Sequence, residues 1–354
     1  MKETDLTEAP VPWLIDVLVL LFTGSVYLSA FLINVAPRNT NKLTMFALFV
    51  VLYFVFRFIF YTFRNERRKI VTVFCVALIL SGLVEAVWGL WQLYSFTISQ
   101  RSLVKPTGSF SHPVLYGGYL SVIFPMALYY GLKKSLWIRI IAIGICAIIL
   151  SMLFATMSWT VWPAVLAGSA VVVLSSKKIK FRANRRHLRS IAFATALLLI
   201  TGLIGIYFLK KDSADSRFLS WKISLQIILY HPLGVGLGNF SGVYGETLIA
   251  YFSSGQASET EALVVCNPEY RFNEYLKTSI ESGILSLLLL IGILIQTFCL
   301  LWYNRDWGIM GSLTALLVFA SFSCPFSLWP FLIVFVLLLA MSEDGGRQIS
   351  TRPN

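Results

Sequence analysis

The chain has 354 residues, 57% of them hydrophobic and only 13% charged, with a formal net charge of +12. A charged share about half that of an ordinary soluble domain excludes that class. The positive excess is not a nucleic-acid footprint either, because much of it lies in short intervals between apolar runs, where Lys and Arg set membrane orientation.

Apolar runs long enough to cross a bilayer, roughly 20 residues each, predict spans at about 13–35, 43–63, 69–94, 114–131, 136–154, 159–176, 191–209 and 283–303. The region 309–341 is too long for one span, and Pro325 and Pro330 in SCPFSLWP are expected to break it into two helices. The reading is an all-α polytopic membrane protein of about ten transmembrane helices with one large outer loop containing short helices. It divides into an N-terminal bundle of about seven spans (1–209), the large loop (210–282), and C-terminal helices with a short cytoplasmic tail (283–354). The opening MKETDLTEAP is acidic and lacks a small-residue cleavage pattern, so the first run is expected to be a retained helix.

Orientation follows from the basic clusters. KKIKFRANRRHLR at 177–189, RNERRK at 64–69, and Lys133 with Lys134 occupy alternate loops and belong on the cytoplasmic side. The intervals 95–113, 155–158 and 210–282 then face outward. Four cysteines, Cys75, Cys146, Cys299 and Cys324, lie in apolar runs, and Cys266 lies in the polar segment. No C-x-x-C spacing is present, so neither a metal site nor a disulfide framework is expected, and no cofactor is called for.

The outer segment carries much of the ionisable chemistry. A helix capped by Asp215 or Ser216 and ended by His231-Pro232 places Arg217, Trp221, Ser224 and Ile228 on one face. Phe218 and Leu225 line a neighbouring face, as on a helix lying along a membrane surface. An arginine there suits a phosphate or pyrophosphate, gripped by two parallel hydrogen bonds, or anchors the helix to lipid phosphates. Gly234, Gly236 and Gly238 form a tightly turned loop whose amides could meet an anion, without the spacing of a dinucleotide fingerprint.

Asn267 and Pro268 suit a helix cap and first residue. The helix carries Arg271, Glu274, Thr278 and Glu281 as a polar stripe running up to Gly283. Such a stripe entering a span either lines a water-filled site or serves internal pairing, Arg271 with Glu274. In the 95–113 interval Arg101, Lys105 and His112 face outward. His112 could shuttle protons or act as an interfacial hydrogen-bonder. Glu85 and Gln92 lie within the third span, where a buried acid serves function or fixes helix packing.

Four stretches together resemble the bacterial O-antigen ligase and polymerase family of envelope glycosyltransferases: VEAVWGLWQLY (84–94), GSFSHPVLYGGYL (108–120), RFLSWKISLQIILYHPLGVGLGNF (217–240) and FNEYLKTSIESGILSL (272–287). The resemblance runs roughly from Leu83 to the C-terminus. It implies a metal-independent transferase in the bacterial inner membrane, active at its periplasmic face. Such an enzyme moves a glycan from undecaprenyl pyrophosphate to a lipid-linked or glycan acceptor. It also implies that Arg217 holds the pyrophosphate. Fixed positive charge stabilises that leaving group as an acceptor hydroxyl attacks.

Two positions depart from the family pattern: Phe272 stands where many members have a histidine, and Trp159 follows Ser158 where many have an arginine. The catalytic candidates are Arg217, Glu274 and Glu281. The substrate-binding candidates are Arg271, Asn273, Tyr275, Trp221, His112, His231 and Lys105. The leading reading is ligase-type transfer. Its alternatives are a polymerase of the same family, a transporter of a lipid-linked solute with Glu85 and Gln92 on its path, and a non-catalytic relative.

Overall fold

The computed structural model describes residues 11–32, 39–98, 105–132, 135–175, 211–255, 257–263 and 273–342. The described residues form helices and no strands. They are α1 (Trp13–Leu32), α2 (Thr40–Thr62), α3 (Arg67–Ile98), α4 (Pro113–Gly131), α5 (Leu136–Ala155), α6 (Val161–Ser175), α7 (Lys211–Tyr230), α8 (Phe240–Ser253), α9 (Glu259–Leu263), α10 (Glu274–Asn304), α11 (Trp307–Ala320) and α12 (Trp329–Ala340). Six of them, α1 to α5 and α10, are long and apolar enough to cross a membrane. The other three apolar helices, α6, α11 and α12, have 15, 14 and 12 residues. The span at 191–209, the basic loop at 177–189, Arg101, Lys133, Lys134, Asn267, Pro268, Arg271 and Phe272 lie outside the described residues.

Three boundaries differ from expectation. Asp215 and Ser216 do not cap α7 but lie inside it, because the helix already runs from Lys211. Ser216 begins the buried stripe that continues through Leu219, Ile223 and Ile227. Packing of that stripe overrides the local capping preference. The helix expected to start at Asn267 does not run unbroken into the polar stripe, since Asn273 is extended (φ −159°, ψ 116°) and caps α10 with its own side chain. The break in 309–341 centres on a turn at Pro325–Ser327. Pro330, by contrast, sits in the first turn of α12, where a missing N–H costs nothing.

The bundle packs through small residues. A Cβ built on Gly168 of α6 would come within 2.6 Å of the Gly311 carbonyl on α11, so the two backbones meet there. At one end, Arg67 donates from Nη2 to Asp306 Oδ2 (2.7 Å) and to the Met341 carbonyl (2.8 Å). This ties α3 to the start of α11 and the end of α12. Near the same end, Arg57 grips both oxygens of Asp16 (2.8 and 2.9 Å), and Tyr53 donates to Oδ1 (2.7 Å).

At the opposite end α10 meets the turn before α12, and the Gly238 backbone lies against Asn39 and Lys42 at the start of α2. Glu85 and Gln92 also serve that end. Glu85 accepts from Ser109 N (3.0 Å) and Ser109 Oγ (2.6 Å), while Gln92 Oε1 accepts from Thr107 N and Gly108 N (2.9 Å each). Both side chains pin the chain before α4 onto α3, the packing role a polar group within a span can take.

The residues between α7 and α8 and the two helices themselves have a core of their own. Leu219, Ile223 and Ile227 of α7 bury themselves against Val235, Phe240, Val243, Tyr244 and Leu248, together with Ile280 of α10. Phe218, Leu225, Leu229 and Leu233 remain exposed on the other side.

Candidate functional site

A cavity of about 200 Å³ opens between α1, α2, α10 and α12. Phe22, Phe46, Phe49 and Phe335 help form its apolar walls. Its polar lining comes chiefly from α10, where Glu274, Lys277, Thr278 and Glu281 follow the i, i+3, i+4, i+7 spacing of one helix face. Lys42, Ser282 and Ser327 add to the polar lining.

The two glutamates differ. Glu274 is 3% exposed and fully engaged: Oε1 accepts from Lys277 Nζ at 2.9 Å and Oε2 from the Phe326 amide at 3.0 Å. Lys277 also donates to Ser327 Oγ at 3.0 Å. Together they stitch α10 to the turn ahead of α12. Glu281 is equally buried, yet its Oε1 has no hydrogen-bond partner among the described residues. A buried oxygen left unsatisfied at a cavity wall is costly unless an occupant supplies a donor.

The backbone around Glu281 explains the glycines. Gly283 has φ +87° and ψ 166°, which divides α10 into two helical pieces. Backbone groups that lose helical partners there are met by the glycine loop and the residue before it: Val235 N donates to Ile280 O (2.8 Å) and Gly236 N to Glu281 O (2.9 Å), while Ile284 N donates to Pro232 O (3.0 Å). A Cβ on Gly234 would fall 2.7 Å from Gly283 N, and one on Gly283 would fall 2.7 Å from the Leu233 carbonyl. The amides of Val235 and Gly236 are therefore spent on the broken helix, not available to an anion.

The remaining predicted residues do not line the cavity. Arg217 and Trp221 are half-buried on α7, which packs on α10 through Ile280, and Trp221 Nε1 is buried without a partner among the described residues. Asn273 is committed as a cap, its Oδ1 accepting from Tyr275 N (2.9 Å) and Leu276 N (3.2 Å). Tyr275 donates its hydroxyl to the Leu317 carbonyl (2.9 Å). His112 caps α4, its Nδ1 accepting from Val114 N (3.2 Å). The half-buried His231 ends α7, its amide donating to Ile227 O, and Lys105 is exposed.

Two features escaped the sequence. Lys277 lies on the same stripe as Glu274, so helical spacing alone could have found it. Ser29 reaches the Glu281 carbonyl from α1 (3.2 Å), a contact with no local signal.

Outside the spans, Lys222 of α7 donates to Tyr251 of α8 and to Glu261 of α9, and Tyr251 donates to Glu261 (2.9 Å). The Ser258 amide and then Lys222 hold the Glu261 carboxyl down at about 2. The Tyr251 and Glu261 hydrogen bonds push Lys222 above its ordinary value.

Residues 119–291 match the family model described as O-antigen ligase. That stretch, just under half of the chain, is similar to the O-antigen ligase family. The matched stretch includes Arg217, the glycine loop, Glu274 and Glu281. The other cavity walls, from α1, α2 and α12, fall outside it. No curated protein matches the chain. The match and the six long apolar helices together support a multi-pass membrane protein of the O-antigen ligase or polymerase type.

Proposed function

We propose that the protein transfers a glycan from undecaprenyl pyrophosphate to a lipid-linked or glycan acceptor at the periplasmic face of the inner membrane. Arg217 grips the pyrophosphate and stabilises it as it leaves. Glu281 accepts the hydrogen bond of the acceptor hydroxyl and takes its proton as the glycosidic bond forms. The observation that carries this reading is the unpartnered Oε1 of Glu281 at the cavity wall. Glu274 is assigned the supporting role, since both its oxygens are already engaged. Arg271 supplements the positive charge.

A polymerase differs only in using a growing chain as acceptor, and the same residues serve it. A transporter reading loses its motive, because Glu85 and Gln92 hold the segment before α4. The test is expression of Glu281→Gln and Glu274→Gln in cells lacking their own copy, with long-chain surface glycan read on gels. Glu281→Gln is expected to lose transfer by a factor of roughly 10² or more, with Glu274→Gln less affected. Equal and full transfer in both would discard the assignment.

A further inference from the structure

We infer that Ser29 of α1 is a positioning residue for the reaction, acting through Glu281. This rests on the reading that Glu281 handles the acceptor hydroxyl. In an unbroken helix the Glu281 carbonyl would accept the amide four residues on. The turn at Gly283 removes that bond. Two donors replace it from different parts of the chain, Gly236 N at 2.9 Å and Ser29 Oγ at 3.2 Å. They use both acceptor positions of the carbonyl. The glycine loop fixes the residue from one side and α1 from the other.

Ser29 is 3% exposed, so its hydroxyl has no water to turn to. One turn away on α1, Ser25 shares a 2.8 Å hydrogen bond with Ser286, beyond the break. Ser286 in turn donates to the Ser282 carbonyl at 2.6 Å. The two serines thus clamp α1 across the interruption, but only Ser29 touches Glu281. A carboxylate held at a helix break has little intrinsic rigidity. Fixing its backbone from two sides sets where Oε1 meets the occupant of the cavity. Misplacement of a reacting group by about 1 Å is enough to cost a factor of up to roughly 10² in rate.

The experiment uses the full chain in cells lacking their own copy, with long-chain glycan normalised to the amount of folded protein. Ser29→Ala is expected to lower transfer roughly tenfold or more. Ser29→Cys, which keeps a weaker donor, is expected to regain part of it. Ser25→Ala is expected to leave transfer near the wild-type level, although it removes a comparable α1–α10 tie. Wild-type transfer in Ser29→Ala, or equal losses at both serines, would overturn the inference and reduce Ser29 to a packing residue. If Ser29→Ala does not accumulate, Ser29→Cys against Ser25→Cys decides in the same way: loss at the first alone supports it, any other pattern overturns it. Full transfer by Glu281→Gln is a separate outcome, which removes the underlying role of Glu281 itself.

Discussion

Glu274 and Phe326, 52 residues apart, are joined by a 3.0 Å hydrogen bond from the Phe326 amide to the carboxylate. With Lys277 holding Ser327, the bond makes the entry to α12 depend on a charged pair inside the bundle. Removing one member of a buried pair strands the other, at a cost of about 3–5 kcal/mol. Glu274→Ala is therefore expected to lower the thermal midpoint in detergent by several degrees, and Glu274→Ala with Lys277→Met to recover much of it. A double variant no better than the single one would refute the pairing argument.

Arg217 provides the charge in the proposed chemistry. Arg217→Ala is expected to abolish surface glycan transfer while the protein remains in the membrane. Arg217→Lys should restore only part, because an ammonium cannot present a planar fork to two phosphate oxygens. Immunoblotting of membranes beside glycan gels checks both.

Gly234 and Gly236 of the loop and Gly283 of α10 are not equivalent. Gly234 (φ +92°) and Gly283 (φ +87°) each have backbone atoms within 3.0 Å of an added Cβ, whereas Gly236 (φ +94°) faces only the Asn239 amide nitrogen at 3.0 Å. Left-handed backbone costs any L side chain roughly 1–2 kcal/mol. At Gly234 and Gly283 the clash is added, so alanine there is expected to lower folded yield strongly and Gly236→Ala mildly. Fluorescence-detected gel filtration of the three variants ranks them.

The Lys222–Tyr251–Glu261 tie should show a defined pH window. Glu261 titrates below its ordinary range, so its contribution is present above about pH 4.5 and lost as pH falls toward about 2. Lys222 is raised, so its contribution is full below its ordinary value of 10.5 and is lost at higher pH. Hydrogen exchange of α8 and α9 is expected to be slowest between these limits. In Glu261→Gln the acid-side change should disappear.

Glu85 and Gln92 give a further expectation. Glu85→Ala leaves Ser109 without its acceptor, so protease cleavage near 105–112 should quicken by several-fold. Unchanged cleavage would show that Gln92 alone holds the segment.

Much of this protein was legible as a string of residues. Hydropathy marked the long spans because a bilayer core imposes length and forbids exposed backbone polarity. Helical spacing put Glu274, Thr278 and Glu281 on one face, where the cavity has them. What the sequence could not separate was Glu274 from Glu281. They look alike on one stripe, and their difference lies in Phe326, Lys277 and Ser29, partners brought in by folding. The glycine loop read as a possible anion cradle because its amides look idle until Gly283 breaks α10 and claims them. The one-dimensional pattern thus settles which surfaces avoid water, a matter of each residue's own chemistry. Only the assembled bundle decides which buried polar groups are satisfied, because that depends on distances between helices that no local spacing encodes.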